Sequence, residues 1–286
     1  MEVLYYADKF VPIDSPAVLF QDRGYMYGDG VYEVVRVYGG EPFMLAAHME
    51  RFERSAAALR IPPPPRSRIE SIVEEGLRLS GLAEAQIYLQ LSRAVAPRAL
   101  PFPDAPPVMS MHVRPVHTPP EETYRTGIEI LLRPDERWAR CWIKTLNLLP
   151  NVLARQEAME AGCDEAILVH EGLVTEGSSS NIFAVAGGVL HTPPATGRVL
   201  AGVVRMAMIE LAVELGIETR EESFTPDFLA TAEEAFITST TIELLPVRRA
   251  TGLAEGAMGA CPGPVALALR DAYRVRCRTS RPGLPK

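Results

Sequence analysis

A proline-rich stretch near the middle of the chain constrains the fold more than any other feature. Pro115-Val-His-Thr-Pro-Pro120 cannot continue a helix or a central strand, because proline lacks the backbone N–H that both structures use. Patterns typical of strands and helices occur on both sides of it. The sequence therefore predicts an α/β (α+β) protein of two domains, each with a sheet and packed helices: residues 1–114, a linker at 115–123, and residues 124–286.

Both halves mix the two periodicities. Apolar residues spaced by three and four positions predict amphipathic helices, and strict alternation predicts half-buried strands. The predicted helices cover residues 44–60, 67–80, 150–159 and 264–277, and the predicted strands cover 86–93, 108–113, 127–132 and 165–169.

Composition excludes several classes of function. The net charge of −7 over 286 residues comes without a dominant basic field, which argues against a nucleic-acid partner. No run of 18 apolar residues and no signal peptide is evident, so we expect a cytoplasmic protein without a membrane partner. The four cysteines form no C-x-x-C pair and the five histidines show no ligand spacing, so we expect reduced thiols and no metal.

One lysine lies in an apolar run. Lys144 is flanked by Trp142, Ile143, Leu146 and Leu148, and burial among such residues would lower the pKa of its amine. A neutral amine is a nucleophile, commonly used to form a Schiff base with a carbonyl substrate or with pyridoxal phosphate. The alternative is a half-buried lysine whose stem packs while its ammonium reaches water or a carboxylate.

Three other charged residues allow two interpretations each. Arg51 lies on the flank of the apolar stripe of the helix 44–60, where it either reaches inward or stays solvated. Arg98 is on a proline-stiffened loop, where it captures a carboxylate or faces solvent. Glu176 lies in a hydroxyl-rich turn that either fixes its carboxylate or is a polar hairpin.

Three further segments have the composition of ligand-binding loops. Asp22–Tyr38 combines three glycines with four tyrosines and predicts a loop entering a strand, with core tyrosines as the alternative. Gly197–Arg205 runs into a helix whose first N–H groups could bind an anion. Glu234–Thr241 predicts a strand ending in four hydroxyl residues, which could hold a phosphate or face solvent.

Taken together these segments resemble one enzyme family. The motifs are Arg23-Gly-Tyr-Met-Tyr-Gly-Asp-Gly-Val-Tyr-Glu-Val-Val, Pro97-Arg-Ala, Ile143-Lys-Thr-Leu-Asn-Leu-Leu, Thr175-Glu-Gly-Ser-Ser-Ser-Asn, Gly202-Val-Val and Thr238-Ser-Thr-Thr. They resemble the fold-type IV pyridoxal-phosphate enzymes over nearly the whole chain, and most closely the bacterial D-amino acid aminotransferases. Branched-chain aminotransferases and aminodeoxychorismate lyases share the cofactor motifs but resemble the Pro97 loop less.

The resemblance implies a cofactor site between the two domains. Lys144 would bind pyridoxal 5'-phosphate covalently and then carry the proton of the substrate Cα, and Glu176 would pair with the pyridine nitrogen. The remaining implied contacts are the phosphate ligands Arg51, Val203, Val204 and Thr240, and Leu200 against the ring face.

The resemblance also implies how substrate is held. Tyr32 and Arg98 would bind the α-carboxylate, with Arg98 reaching in from the second subunit of a homodimer. D-specific members carry histidine two residues after this arginine, whereas this chain has Leu100, so one donor is missing. A lost hydrogen bond of this kind costs about 1–3 kcal/mol, enough to weaken binding about tenfold or more.

The expected activity is a ping-pong transfer of an amino group between a D-amino acid, such as D-alanine or D-glutamate, and pyruvate or 2-oxoglutarate. The alternatives are a branched-chain L-amino acid aminotransferase or an aminodeoxychorismate lyase on the same fold, and a non-catalytic binding protein that kept the fold.

Overall fold

The computed structural model describes residues 1–15 and 17–279, and the chain divides by its contacts into two compact units. Of these described residues, unit 1 contains 1–15, 17–117, 143–147 and 277–279. Unit 2 contains residues 118–142 and 148–276. The predicted division into 1–114, 115–123 and 124–286 stays a prediction. The contacts add that Lys144 belongs to unit 1, although it follows the proline-rich stretch.

Unit 1 is built on one antiparallel sheet of six described strands, in the order β2-β1-β6-β5-β3-β4. The strands are β1 (Val3–Tyr6), β2 (Lys9–Val11), β3 (Gly30–Tyr38), β4 (Glu41–Pro42), β5 (Ala85–Ser92) and β6 (Val108–Pro115). The helices are α1 (Arg23–Tyr27), α2 (Leu45–Ala58) and α3 (Arg66–Ser80).

The helices of unit 1 cover the apolar face of its sheet. Alternate residues of β3, among them Val31 and Val35, are fully buried, and α2 packs on this strand with Met49 and Phe52. Helix α3 packs on β1 and β6 and ends at Gly81, whose left-handed φ of +65° suits glycine. The helices predicted at 44–60 and 67–80 are therefore α2 and α3.

Helix α1 differs from the prediction. The glycine-rich stretch was expected to be a loop entering a strand, but its first residues form a short helix capped by the side chain of Asp22 and ended by Gly28 at φ +65°. Gly30 then begins β3, where an added Cβ would lie 2.5 Å from the carbonyl oxygen of Leu91. The glycines thus end the helix and allow close backbone packing.

Unit 2 is built on a mixed sheet whose main path runs β12-β11-β10-β13-β14-β7-β8-β9, with β15 paired to β14. Its strands are β7 (Ile128–Pro134), β8 (Glu165–His170), β9 (Leu173–Gly177), β10 (Asn181–Ala186), β11 (Val189–Thr192), β12 (Thr219–Glu221), β13 (Glu234–Ser239), β14 (Glu243–Gly252) and β15 (Gly256–Ala257). The helices are α4 (Glu121–Thr126), α5 (Leu149–Glu160), α6 (Val203–Glu214), α7 (Pro226–Ala230) and α8 (Pro264–Thr279), the last continuing into unit 1.

Apolar side chains are buried on both faces of this sheet. On one face Ile130 and Val247 join a large cluster that includes residues of α4 and α7. On the other face α5 packs on β8, and α6 packs on β13, where Phe183 and Phe236 stack at 4.9 Å. None of the helices within residues 1–15 and 17–279 is long and apolar enough to cross a membrane.

Candidate active site

Lys144 is positioned by backbone hydrogen bonds to the start of β3. The N–H of Tyr32 donates to the carbonyl of Lys144 at 3.0 Å, and the N–H of Leu146 donates to the carbonyl of Gly30 at 3.1 Å. The N–H of Lys144 donates to the hydroxyl of Ser55 on α2 at 3.2 Å. The lysine therefore extends the hydrogen-bond pattern of the sheet, which fixes its backbone.

The lysine side chain lies against aromatic rings of the same unit. Its Nζ is 4.3 Å from the ring centroid of Tyr32, and that ring stacks on Tyr88 at 5.6 Å. Burial raises the pKa of Tyr88 to about 12, and the neighbouring Tyr32 adds to this shift. Lys144 is half-buried and Leu148 is exposed, so the predicted apolar enclosure is partial, and the face of the Tyr32 ring is one side of it.

Arg51 points inward and is buried in an ion pair. Its Nε and Nη2 donate to the two carboxylate oxygens of Glu33 at 2.7 and 2.8 Å, and His48 Nδ1 lies 2.8 Å from Glu33 Oε2. Burial opposes ionisation of Glu33, but the charge and hydrogen bonds of Arg51 and the contact with His48 outweigh it and lower the pKa of Glu33. Burial, more than any other cause, lowers the pKa of His48.

In unit 2, Glu176 is held on both oxygens. Arg137 donates to its Oε1, while Asn181 Nδ2 and the N–H of Leu200 donate to its Oε2 at 3.2 and 3.0 Å. Arg137 is in turn paired with the buried Asp135 at 2.8 Å. Burial of Arg137 opposes its charge, but the bond to Asp135 and the charge of Glu176 outweigh it and raise its pKa.

The first turn of α6 presents polar backbone groups. Gly202 is the N-cap and no side chain caps the helix, so the amides of Val203 and Val204 are among those without an intrahelical acceptor. The hydroxyl of Thr238, on the strand that α6 packs against, is buried without a hydrogen-bond partner among the described residues. Thr240 follows that strand and is half-buried.

Arg98 lies in the exposed loop between β5 and β6. Its guanidinium carbon is 5.2 Å from the ring centroid of Tyr27, and Leu100, two residues on, is 80% exposed. Each unit thus assembles part of the predicted set. Unit 1 brings Lys144 to Tyr32 and buries Arg51, and unit 2 connects Glu176 to Leu200.

Sequence reasoning missed the partners of these residues. Glu33 shares the buried face of β3 with Val31 and Val35, and a carboxylate at that position requires a buried partner. His48 and Arg51, three residues apart on one helix, were the signal for that partner. No spacing in the sequence connects Arg137 to Glu176.

Known proteins resemble this chain over most of its length. The profile of the family described as Amino-transferase class IV matches residues 30–250. D-alanine aminotransferase from Bacillus licheniformis is 39% identical over 267 residues, covering 93% of each chain. The enzyme of that name from Staphylococcus aureus (strain COL) is 35% identical, covering 96% of this chain and 97% of its own.

Solved structures of branched-chain amino acid aminotransferases are also similar. The enzyme from the archaeon Thermoproteus uzoniensis, solved with norvaline, superposes with a TM-score of 0.85 at 27% identity, covering 98% of this chain and 96% of its own. The Escherichia coli enzyme superposes with a TM-score of 0.83 at 27% identity, covering 96% of this chain and 93% of its own. These matches confirm the expected fold-type IV architecture of two sheets with packed helices. The chain belongs to the class IV aminotransferase family.

Proposed function

We propose that this aminotransferase moves the amino group of a D-amino acid, such as D-alanine or D-glutamate, to a 2-oxo acid such as pyruvate or 2-oxoglutarate. The reaction is ping-pong, with Lys144 as its catalytic residue. The identity with D-alanine aminotransferases over nearly the whole chain supports this substrate class. The observation that carries the proposal is the Lys144 amine, which β3 fixes beside the Tyr32 ring.

The residues fit pyridoxal 5'-phosphate as the cofactor. They offer an amine for its aldehyde, an oriented carboxylate for its ring nitrogen, and uncapped helix amides for its phosphate. The unpartnered, buried hydroxyl of Thr238 beneath α6 is a further donor that such an anion would use. When bound, the cofactor supplies a ring that accepts the negative charge left on the carbon that loses its proton.

Each unit then has a distinct task. In unit 1, Lys144 Nζ would hold the cofactor and carry the proton of the substrate Cα, and the hydrogen bonds at Tyr32 and Leu146 fix the backbone from which that amine projects. Arg51, oriented by Glu33, contributes charge to the phosphate site.

In unit 2, Arg137, Asn181 and the Leu200 amide fix the direction of the Glu176 carboxylate, whose negative charge would keep the ring nitrogen protonated. The amides of Val203 and Val204 and the hydroxyl of Thr240 would hold the phosphate. Leu200 would lie against the ring.

The substrate α-carboxylate is bound by Tyr32 and by Arg98, the latter from the second subunit of a homodimer. Leu100 contributes no side-chain donor, so we expect weaker carboxylate binding than in a site with a histidine at that position. Free thiols at Cys141, Cys163, Cys261 and Cys277 suit a reducing, cytoplasmic compartment.

The test combines one substitution with a donor screen. Lys144→Ala should remove the visible absorbance of the bound cofactor and nearly all amino-group transfer, while leaving the fold intact. Wild-type enzyme incubated with single D- and L-amino acids should lose its cofactor absorbance with D-amino acids. An unchanged spectrum in Lys144→Ala would overturn the lysine assignment.

The second candidate is a branched-chain L-amino acid aminotransferase, which the similarity to the solved structures of such enzymes favours. If only L-leucine, L-isoleucine and L-valine bleach the absorbance, this candidate replaces the first while the cofactor assignment stands.

A further inference from the structure

The loop that carries Arg98 is hydrogen-bonded to a buried arginine of α1. Arg23 is 4% exposed, and its two terminal nitrogens donate to the carbonyl oxygens of Ala99 and Leu100, the latter at 3.3 Å. Leu100 itself is 80% exposed, so its side chain does not hold the loop here. These two hydrogen bonds, from a side chain outside the loop, position the backbone directly after Arg98.

Arg23 is itself fixed by a shared carboxylate. Its Nε bonds Asp29 at 2.8 Å, and Arg93 bonds the same carboxylate through Nε at 2.9 Å and Nη2 at 3.0 Å. Burial opposes ionisation of Asp29, but the hydrogen bonds from Arg93 and Arg23 outweigh it and lower its pKa. Asp29 thus offsets part of the positive charge that Arg23 and Arg93 bring to this end of the unit.

Tyr27, the last residue of α1, has two arginine side chains over its ring: Arg23 from the same helix and Arg98 from the loop. The guanidinium carbon of Arg23 is 4.8 Å from the ring centroid, and that of Arg98 is 5.2 Å from it. The Tyr27 hydroxyl is buried and has no hydrogen-bond partner among the described residues, so polar bonds from it do not set the orientation of the ring. The contact that the ring makes with Arg98 is through its face.

We propose that Tyr27 is a positioning residue for substrate recognition: its ring, fixed by Arg23, holds the exposed Arg98 guanidinium in the direction in which it meets the substrate α-carboxylate. An exposed arginine without such a contact would distribute over many rotamers and lose part of that freedom on binding. This inference rests on the proposed role of Arg98. It also identifies a source of preorganisation that does not depend on the side chain at position 100, since the contacts come from α1.

The experiment compares D-alanine with D-alaninamide, which lacks the α-carboxylate, as donors for the purified holoenzyme. The measured quantity is the ratio of their kcat/KM values. Tyr27→Leu should lower this ratio about fivefold, mainly through the KM of D-alanine, because the ring contact is lost. Tyr27→Phe should keep the wild-type ratio, because it retains the ring and removes only the unpartnered hydroxyl.

Two controls make the result specific. Tyr25→Leu removes a ring from the same helix that contacts Phe20, and should leave the ratio unchanged. Arg98→Met should lower the ratio more than Tyr27→Leu does, with Tyr32 keeping part of the preference for D-alanine. If it does not, the proposed carboxylate role of Arg98 is wrong and the inference falls with it.

If Arg98→Met lowers the ratio but Tyr27→Leu leaves it unchanged, the positioning role alone is overturned. The positioning role is also overturned if Tyr27→Phe lowers the ratio as much as Tyr27→Leu, since the effect would then come from the hydroxyl and not from the ring. Thermal midpoints and cofactor absorbance of each variant establish that the fold is retained.

Discussion

Glu33 allows a direct measurement of what it costs to break a buried ion pair in this protein. Its carboxylate is fully buried and accepts two hydrogen bonds from Arg51, which is 5% exposed, and it contacts His48. Replacing it by glutamine removes the counter-charge that Glu33 gives the guanidinium, and breaking one partner of a buried pair costs about 3–5 kcal/mol. In a protein of this size, a loss of 1 kcal/mol in the free energy of unfolding lowers the thermal midpoint by roughly 3 °C. Glu33→Gln should therefore lower the midpoint by about 10 °C.

A surface pair of the same geometry provides the control. Glu53 accepts from Nε and Nη2 of Arg66 at 2.9 and 2.7 Å, but both side chains are about one-third exposed. Solvent screening and the loss of side-chain entropy cancel most of the stabilisation that such a pair could give. Glu53→Gln should therefore leave the thermal midpoint unchanged within error, although it too removes the negative charge and one of the two acceptor oxygens facing an arginine.

The pH dependence has a definite sign. The pKa of Glu33 is lower in the folded protein than its ordinary value of 4.5, so its contribution to stability is present above that value and is lost as the pH falls toward the folded pKa. The difference in midpoint between wild type and Glu33→Gln should therefore be largest near neutral pH and shrink below pH 4.5.

The assay is calorimetry from pH 3 to 7 on the wild type and on Glu33→Gln. A double variant, Glu33→Gln with Arg51→Met, is measured in the same way. The double variant should be more stable than Glu33→Gln alone, because the buried guanidinium that has lost the Glu33 carboxylate is removed as well. A loss in Glu33→Gln no larger than that of Glu53→Gln would refute the reasoning.

Two further predictions concern the surroundings of Lys144. Gly30→Ala should lower the thermal midpoint and the transfer rate, because its Cβ would lie 2.5 Å from the Leu91 carbonyl and 2.8 Å from Leu146 Cδ1, at a cost of about 1–3 kcal/mol. Gly259→Ala, whose nearest contact is 3.2 Å, should be milder, and equal losses would contradict the packing argument. Tyr88 should ionise only near pH 12, so an absorbance titration at 295 nm should lose its highest-pH component in Tyr88→Phe. Loss of a component near pH 10 instead would show that burial does not control this hydroxyl.

Periodicity predicted the regular elements because burial on one face sets them locally. The stripe at Met49 and Phe52 predicts α2, and the alternation of residues 86–93 predicts β5. Helix α1 was missed, since two glycines within five residues oppose a helix, and only the Asp22 cap and the packing on β5 compensate.

The candidate site also has some features that the sequence predicts and others that it does not. The chemical types of Lys144, Glu176 and Arg51 were evident from the sequence, because each is an unusual residue in its local pattern. Their partners were not, since Arg137 and Glu33 meet them only after β-strands and helices have packed. The contact between Arg98 and Tyr27 likewise depends on the path of an exposed loop, which no period describes.

The placement of Ile143–Asn147 in unit 1 has a consequence for the order of assembly during synthesis. Residues 1–117 leave the ribosome early, but the Tyr32 amide and the Gly30 carbonyl lack these partners until the chain has been made as far as Leu146. The chain between Tyr32 and Lys144 forms a long loop, and closing it costs conformational entropy and is therefore slow. The edge of the sheet at the start of β3 would stay incomplete in a nascent chain for some time. The last strand-like piece to join unit 1 is the one that bears Lys144, so the edge is completed in the same event that installs the reactive amine.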